Sequence, residues 1–313
     1  MKKVGVVSQL FRYPVKSMGG ERISQTEVLE KGFYKDRTWA IYDLERGEIT
    51  GGKKVGKLMM LNAKYAADLN GTSPLVDLIL PDGTTLSSAD ENCSEALSSY
   101  LGKKVELVDL KPASDRKHYR LAKMMNESEV RKILDLEEGE PVPDFSQSSF
   151  GLLAQLQIFA TPPGTYFDMY PLHILTQNSL EHIRSLTSND NYSVERFRPN
   201  MLIDAEEGAG FVEEAWCDHS LKIGDCIIEV KSFTPRCAMP GRAQAELVED
   251  KTIPRQLTKF ANRNLGVYCT VKQTGSVKEG DSVYLIENKE SFLGAALRKG
   301  SRKIKQGIVK IAS

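Results

Sequence analysis

Apolar positions in this chain recur mostly in short runs, and short runs bounded by turn residues predict β-strands. The pattern begins at Val4 to Val15, where Val6, Leu10, Phe11, Tyr13 and Val15 supply branched and aromatic residues before Gly19-Gly20 permits a sharp turn. Ser24 to Leu29, Thr38 to Tyr42, Met59 to Tyr65, Leu75 to Leu80 and Val105 to Val108 repeat it, with Pro81-Asp82-Gly83 as a turn. Cys93 to Leu101 instead has the spacing of a short amphipathic helix. Residues 1–110 therefore read as a mostly β unit.

The pattern changes from Lys111 to Thr165. Asn126 to Leu136 is a charged helical stretch with Ser128 as an internal cap, and Glu137 to Asp144 is an acidic, proline-bearing connector. Thr161-Pro162-Pro163-Gly164 then breaks the chain. This region, 111–165, is expected to connect two lobes and line a cleft entrance, with mobility near Glu137 to Asp144. Strand signals return in 166–287: Asp168 to Thr176 as a buried strand, then Met201 to Asp204, Ser220 to Ile223, Cys226 to Phe233 and Val267 to Lys272. Leu180, Ile183 and Leu186 mark one face of a helix, Ile253 to Phe260 is a second, and Ser276 to Ile286 reads as a turn and a final strand. The fold class is thus mostly β (α+β), with a few helices.

The last stretch, 288–313, is basic. It predicts an amphipathic helix packed on the domain, weakened by Gly294, Gly300 and Gly307, with an anionic membrane or acidic partner as the alternative contact. Over the whole chain, 42 Lys and Arg balance 42 Asp and Glu, so no global attraction to nucleic acid or a membrane surface is implied. No run of apolar residues is long enough for a transmembrane span. Five widely spaced cysteines without a C-x-x-C pair point to a reducing compartment, taken as the cytoplasm, and four scattered histidines give no metal spacing.

Candidate chemistry concentrates between Glu195 and Pro240. Arg196-Phe197-Arg198-Pro199-Asn200 supplies cationic and amide donors, and Thr234-Pro235-Arg236-Cys237 places a thiol beside a cation. Lys16 and Ser17, leaving a strand end after Pro14, are suited to a phosphate, or are a solvated turn. Arg37 stands at a strand start, either for a ligand or for a salt bridge to Asp36. Gly51-Gly52-Lys53-Lys54 is a glycine-rich turn without nucleotide-loop spacing and a weak phosphate signal. Thr176 or Asn178 is a natural N-cap, whose helix would offer free N–H groups to an anion. His173 reads as a satisfied core histidine; Cys93, Cys217 and Cys226 read as packing.

Tyr13-Pro14-Val15-Lys16-Ser17, Asp36-Arg37, Pro171-Leu172-His173-Ile174-Leu175-Thr176, Arg196-Phe197-Arg198-Pro199-Asn200, Arg236-Cys237 and Gly280-Asp281-Ser282-Val283-Tyr284 occur in that order. As an ordered set they resemble the MOSC-domain proteins with an N-terminal MOSC β-barrel-like domain, a group that includes the amidoxime-reducing component. The resemblance implies a C-terminal MOSC β-barrel domain and a molybdenum cofactor (molybdopterin) held between the two regions. It implies that Lys16, Ser17 and Arg37 address phosphate and pterin from one side. Thr176, Asn178 and Ser179 would approach from the mid-chain loop, with Arg198, Asn200 and Arg236 completing the set. Cys237 is the catalytic and metal-ligating candidate and Cys269 the second choice; 257–266 holds no cysteine. The implied activity is reduction of N-oxygenated or similar small molecules, with electrons from a separate partner because no iron–sulfur cysteine spacing follows. The alternatives are a metal-free enzyme acting on another anionic metabolite and a sulfur or cofactor carrier using Cys237.

Overall fold

The structure, a computed structural model, describes residues 1–288 apart from 67–68, 72, 125 and 141–147. The basic tail and part of the acidic connector, 141–144, lie outside the described residues.

Seven strands close a barrel: β1 (Lys2–Arg12), β2 (Leu172–Thr176), β3 (Met201–Ala205), β4 (Ser220–Ile223), β5 (Cys226–Pro235), β6 (Asn264–Gln273) and β7 (Ser282–Ile286). Their order round the barrel is β3, β2, β6, β5, β4, β7, β1. β1 then pairs back onto β3, Gly5 opposite Ala205 and Leu10 opposite Met201, so the ring has no free edge to protect. β2 and β3 run parallel, Ile174 opposite Met201. Parallel neighbours need a crossover, here the helix Gln177–Thr187. β5 shows strict alternation of buried and half-buried residues from Cys226 to Pro235, the signature of one face on a core. Leu10, Ile174, Ile203, Trp216, Ile228 and Val267 belong to the buried cluster that this alternation feeds.

The N-terminal region carries three-stranded sheets rather than a second closed ring. Val105–Asp109, Trp39–Asp43 and Glu48–Thr50 form one, and Asn62–Tyr65, Val76–Ile79 and Thr85–Ser87 another. The helix Cys93–Leu101 matches its expected bounds and buries Leu97 against Ile41, Leu78 and Val105. Met59 to Tyr65 is not strand throughout: Gly56–Met60 is a 3-10 turn that leads into it. The two regions are interleaved, since β1 completes the barrel and Gly275–Lys278 pairs with Gln25–Leu29. Ser276 to Lys278, expected as a turn, is therefore strand.

The connector helix spans Glu127–Leu134. Its cap is Asn126 rather than Ser128: the Asn126 side chain accepts from the Glu129 N–H at 2.8 Å, and the Glu129 carboxylate accepts from the Asn126 N–H at 3.0 Å. At its other end, Arg263 of the barrel donates to the carbonyls of Leu134 and Asp135 at 2.6 and 3.1 Å, pinning the helix C-terminus. Among the described residues no helix is long and apolar enough to cross a membrane.

Candidate functional site

Three of the sequence motifs meet on one carboxylate. Asp36, buried, accepts from the backbone N–H of Tyr13 at 2.8 Å, from Asn200 Nδ2 at 2.9 Å and from the guanidinium of Arg37. The Arg37 N–H donates to the Tyr13 carbonyl and the Lys16 N–H to the Trp39 carbonyl, which zips the two N-terminal segments together. Ser17, Arg37 and Arg198 all take left-handed backbone conformations, with φ of 69°, 53° and 53°. Those turns let consecutive side chains diverge, so that Lys16, Ser17, Arg37 and Arg198 line one cavity together with Asn200, Arg236 and Cys237. Cys237 follows the end of β5 and is partly exposed. Leu134 of the connector helix also lines this cavity.

Gly51 lets a further wall approach. A Cβ there would lie 2.7 Å from Ser17 Oγ, so glycine lets 51–54 pack on the Lys16-Ser17 turn without displacing that hydroxyl. That contact carries Lys53 into the cavity, where its ammonium donates to Asp168 at 2.9 Å while Lys16 donates to the other oxygen of the same carboxylate. Asp168 feels partial burial, which opposes its charge, but Lys16 and Lys53 overcome this and hold its carboxyl well below the usual range. Burial lowers the Lys16 pKa against the pull of Asp168. At Lys53 burial opposes the charge too, yet Asp168 and Cys237 outweigh it and the pKa rises.

Arg198 and Arg236 have no carboxylate partner among the described residues. Arg198 Nη1 donates to the Met18 carbonyl and Arg236 Nη2 to the Phe197 carbonyl at 2.9 Å. Arg198 Nη2 and Arg236 Nε are buried and make no hydrogen bond. Burial, then repulsion from Arg37, brings the Arg198 pKa down to about 10. Both Arg37 and Arg198 stack on the Tyr13 ring, at 5.0 and 4.2 Å from its centroid. Six cations, Lys16, Arg37, Lys53, Arg196, Arg198 and Arg236, thus line a space in which Asp168 is the counter-charge and Cys237 the thiol, an arrangement suited to an anionic group ending at sulfur.

Not every expected residue arrives. Thr176, Asn178 and Ser179 are outside the cavity, at the N-terminus of the helix Gln177–Thr187. Thr176 caps it, accepting from the Ser179 N–H at 3.1 Å; Asn178 bridges the Ala205 N–H and the Gly208 carbonyl. Glu213 occupies this helix end: its buried carboxyl bonds with the Thr176 hydroxyl at 2.6 Å and with the Ser179 hydroxyl. Asn200 reaches the cavity wall yet spends its amide on Asp36 and on the His173 N–H at 3.1 Å, so it orients the site. His173 is buried as expected but also lines the cavity, and burial followed by Arg236 drives its pKa well down, leaving a neutral ring. Cys269 is in the barrel core, which removes it as a second thiol for the cavity. Lys53, Asp168, Phe167 and Tyr268 line the site without having been singled out for it. Lys53 had a signal in its glycine-rich turn; Asp168 had none.

Glu213 and Glu214 carry a pH dependence. Burial raises both pKa values, and repulsion from Glu213 helps bring Glu214 to about 7 from 4.5. A carboxyl raised in the folded state keeps a proton that the unfolded chain releases, so its stabilisation is present below about pH 4.5 and lost as pH rises through 7. Glu214→Gln is expected to match the parent near pH 4 and exceed it by about 2 kcal/mol near pH 8, allowing for partial exposure. Melting temperature against pH for both proteins checks this; parallel profiles would refute it.

Residues 4–104 match the MOSC N-terminal beta barrel domain and residues 162–284 the MOSC domain. The mitochondrial amidoxime reducing component 2 of Homo sapiens is 26% identical over 304 residues, covering 91% of this chain and 84% of the relative. The human mitochondrial amidoxime-reducing component 1 is 25% identical over 320 residues with the same coverages, and that of Xenopus laevis 22% over 309 residues, covering 92% and 84%.

Proposed function

This chain belongs to the MOSC-domain proteins, and from that premise we propose that it is a molybdenum-cofactor-dependent oxidoreductase acting on N-oxygenated small molecules, as the names of its relatives suggest. One observation carries the reading: six cations, two of them with buried donor atoms that lack a partner, line a cavity that holds a single cysteine. The residues fit the group. Lys16, Ser17, Arg37 and Arg198 would be the donors to a pterin phosphate; Arg236 would offer its free Nε, and Cys237 would be the soft ligand suited to molybdenum. Thr176 and Ser179 bond to Glu213 and Asn178 bridges Ala205 and Gly208, so none of the three lines this cavity.

When bound, the cofactor supplies a two-electron centre able to remove oxygen from an N–O bond. The chain's own contribution is positioning and charge. Asp36 fixes the two N-terminal segments and Asn200 in one arrangement, so the cations are held in place before a ligand arrives. Asp168 is the internal counter-charge of Lys16 and Lys53, with which a phosphate would compete for the same two cations. The neutral His173 neither donates charge to the cavity nor titrates near pH 7. All five cysteines are free, which supports a reducing, cytoplasmic setting.

Chain purified from a host that makes the cofactor is expected to carry about one molybdenum per molecule, with pterin fluorescence after denaturation and reduction of a model amidoxime by an external electron source. Protein with neither metal nor pterin from such a host would sink the proposal.

A further inference from the structure

Behind the 51–54 loop lies a second cavity, of about 340 Å³, whose wall shares Lys53 with the first. Seven of its lining side chains are cationic and two are carboxylates. Glu48, fully buried behind it, spends one oxygen on Arg46 and Lys54, each at 2.6 Å, and the other on the Ala122 N–H at 3.0 Å. Arg242 braces the loop by donating to the carbonyls of Gly52 and Lys53. Lys132, exposed on the connector helix, has no partner among the described residues. A basic patch alone is usually a solvated face. Here the floor adds Thr50, 2% exposed, whose hydroxyl is buried and makes no hydrogen bond. An orphaned hydroxyl beneath an excess of ammonium groups is the donor set for a phosphate oxyanion.

We propose that Thr50, Lys54, Lys132 and Arg46 form a second anion site, separate from the first cavity, that takes a phosphate group as free phosphate or as the phosphate of a small ester. The cavity has the size of small-molecule sites, which leaves room for more than the phosphate itself. Its position also gives the glycine-rich turn a role on each face: Lys53 serves the first cavity and Lys54 the second.

Calorimetric titration of the full chain at low salt tests this, using inorganic phosphate and ribose 5-phosphate. Two binding phases are expected. Thr50→Val should weaken one by about tenfold and Lys132→Glu by at least about fivefold, while Arg198→Met weakens only the other. Tighter binding of ribose 5-phosphate identifies an ester as the source and equal binding the free ion, and either supports the site. A single phase lost in Arg198→Met, or a second phase unchanged by Lys132→Glu and Thr50→Val, overturns it. Should Thr50→Val lower the melting temperature, the exposed Lys132 variant decides alone.

Discussion

Cys237→Ser is expected to cut turnover by at least about a hundredfold and to abolish molybdenum retention, with a melting temperature close to that of the parent. Serine preserves the size of the side chain but replaces a soft thiolate with a hard, protonated hydroxyl, which does not suit a molybdenum centre. Folding should hardly notice, because Cys237 is partly exposed and makes no hydrogen bond among the described residues. Cys269→Ala is the opposite control. Cys269 is buried in the barrel core, and its loss should lower stability by about 1 kcal/mol while sparing activity in the protein that remains folded. Metal content, turnover and melting temperature on the two variants give a crossed pattern. Turnover within threefold of the parent in Cys237→Ser would remove the thiol from the mechanism.

Arg196→Met should produce the largest loss of stability. Arg196 is 1% exposed and has no carboxylate in contact among the described residues. Its guanidinium instead ties four backbone carbonyls: Nε to Asn191 at 2.7 Å, Nη1 to Pro240 and Arg242 at 3.1 and 3.3 Å, and Nη2 to Val248 at 2.7 Å. Burial lowers its pKa, with Asp250 acting in opposition. Methionine fills much of the volume but strands those carbonyls, at a cost of about 4 kcal/mol, of the order of 10 °C in melting temperature. The same carbonyls hold the segment that follows Cys237, so the thiol should also react faster with a disulfide reagent well below the melting transition. A shift under about 2 °C would show that the guanidinium is not the clamp described here.

These two variants also show how far the motifs could be read. Arg196-Phe197-Arg198-Pro199-Asn200 announced donors, and donors are what it supplies. Their division of labour follows from the backbone: a 3-10 turn over Val194–Phe197 and a left-handed Arg198 send Arg196 into the loop carbonyls and Arg198 into the cavity. No local propensity shows that outcome, because φ at Arg198 is set by the packing of the turn against Tyr13 and Met18. Asp36 is a similar case. Beside Arg37 it reads as a salt-bridge partner, and only the approach of Tyr13 and Asn200 makes it the junction of three motifs.

The helix N-terminus after Thr176 was legible as a cap, and Thr176 does cap it. The group that occupies it is Glu213, a residue of the same chain, which sequence proximity does not reveal across the intervening strand. Lys53 and Asp168 became site residues for the same reason: they meet because Gly51 lets one loop lie against another.

The sequence by itself determined the strand periods, the turns, the helix Cys93–Leu101 and the ordered motifs that mark the family, since these depend on neighbours a few residues away. Closure of the barrel through β1, the pairing of Gly275–Lys278 with Gln25–Leu29, and the choice of which polar side chains face the cavity were decided by the tertiary structure. Those are contacts between distant segments, and a buried donor is committed to whichever acceptor the folded chain brings within about 3 Å.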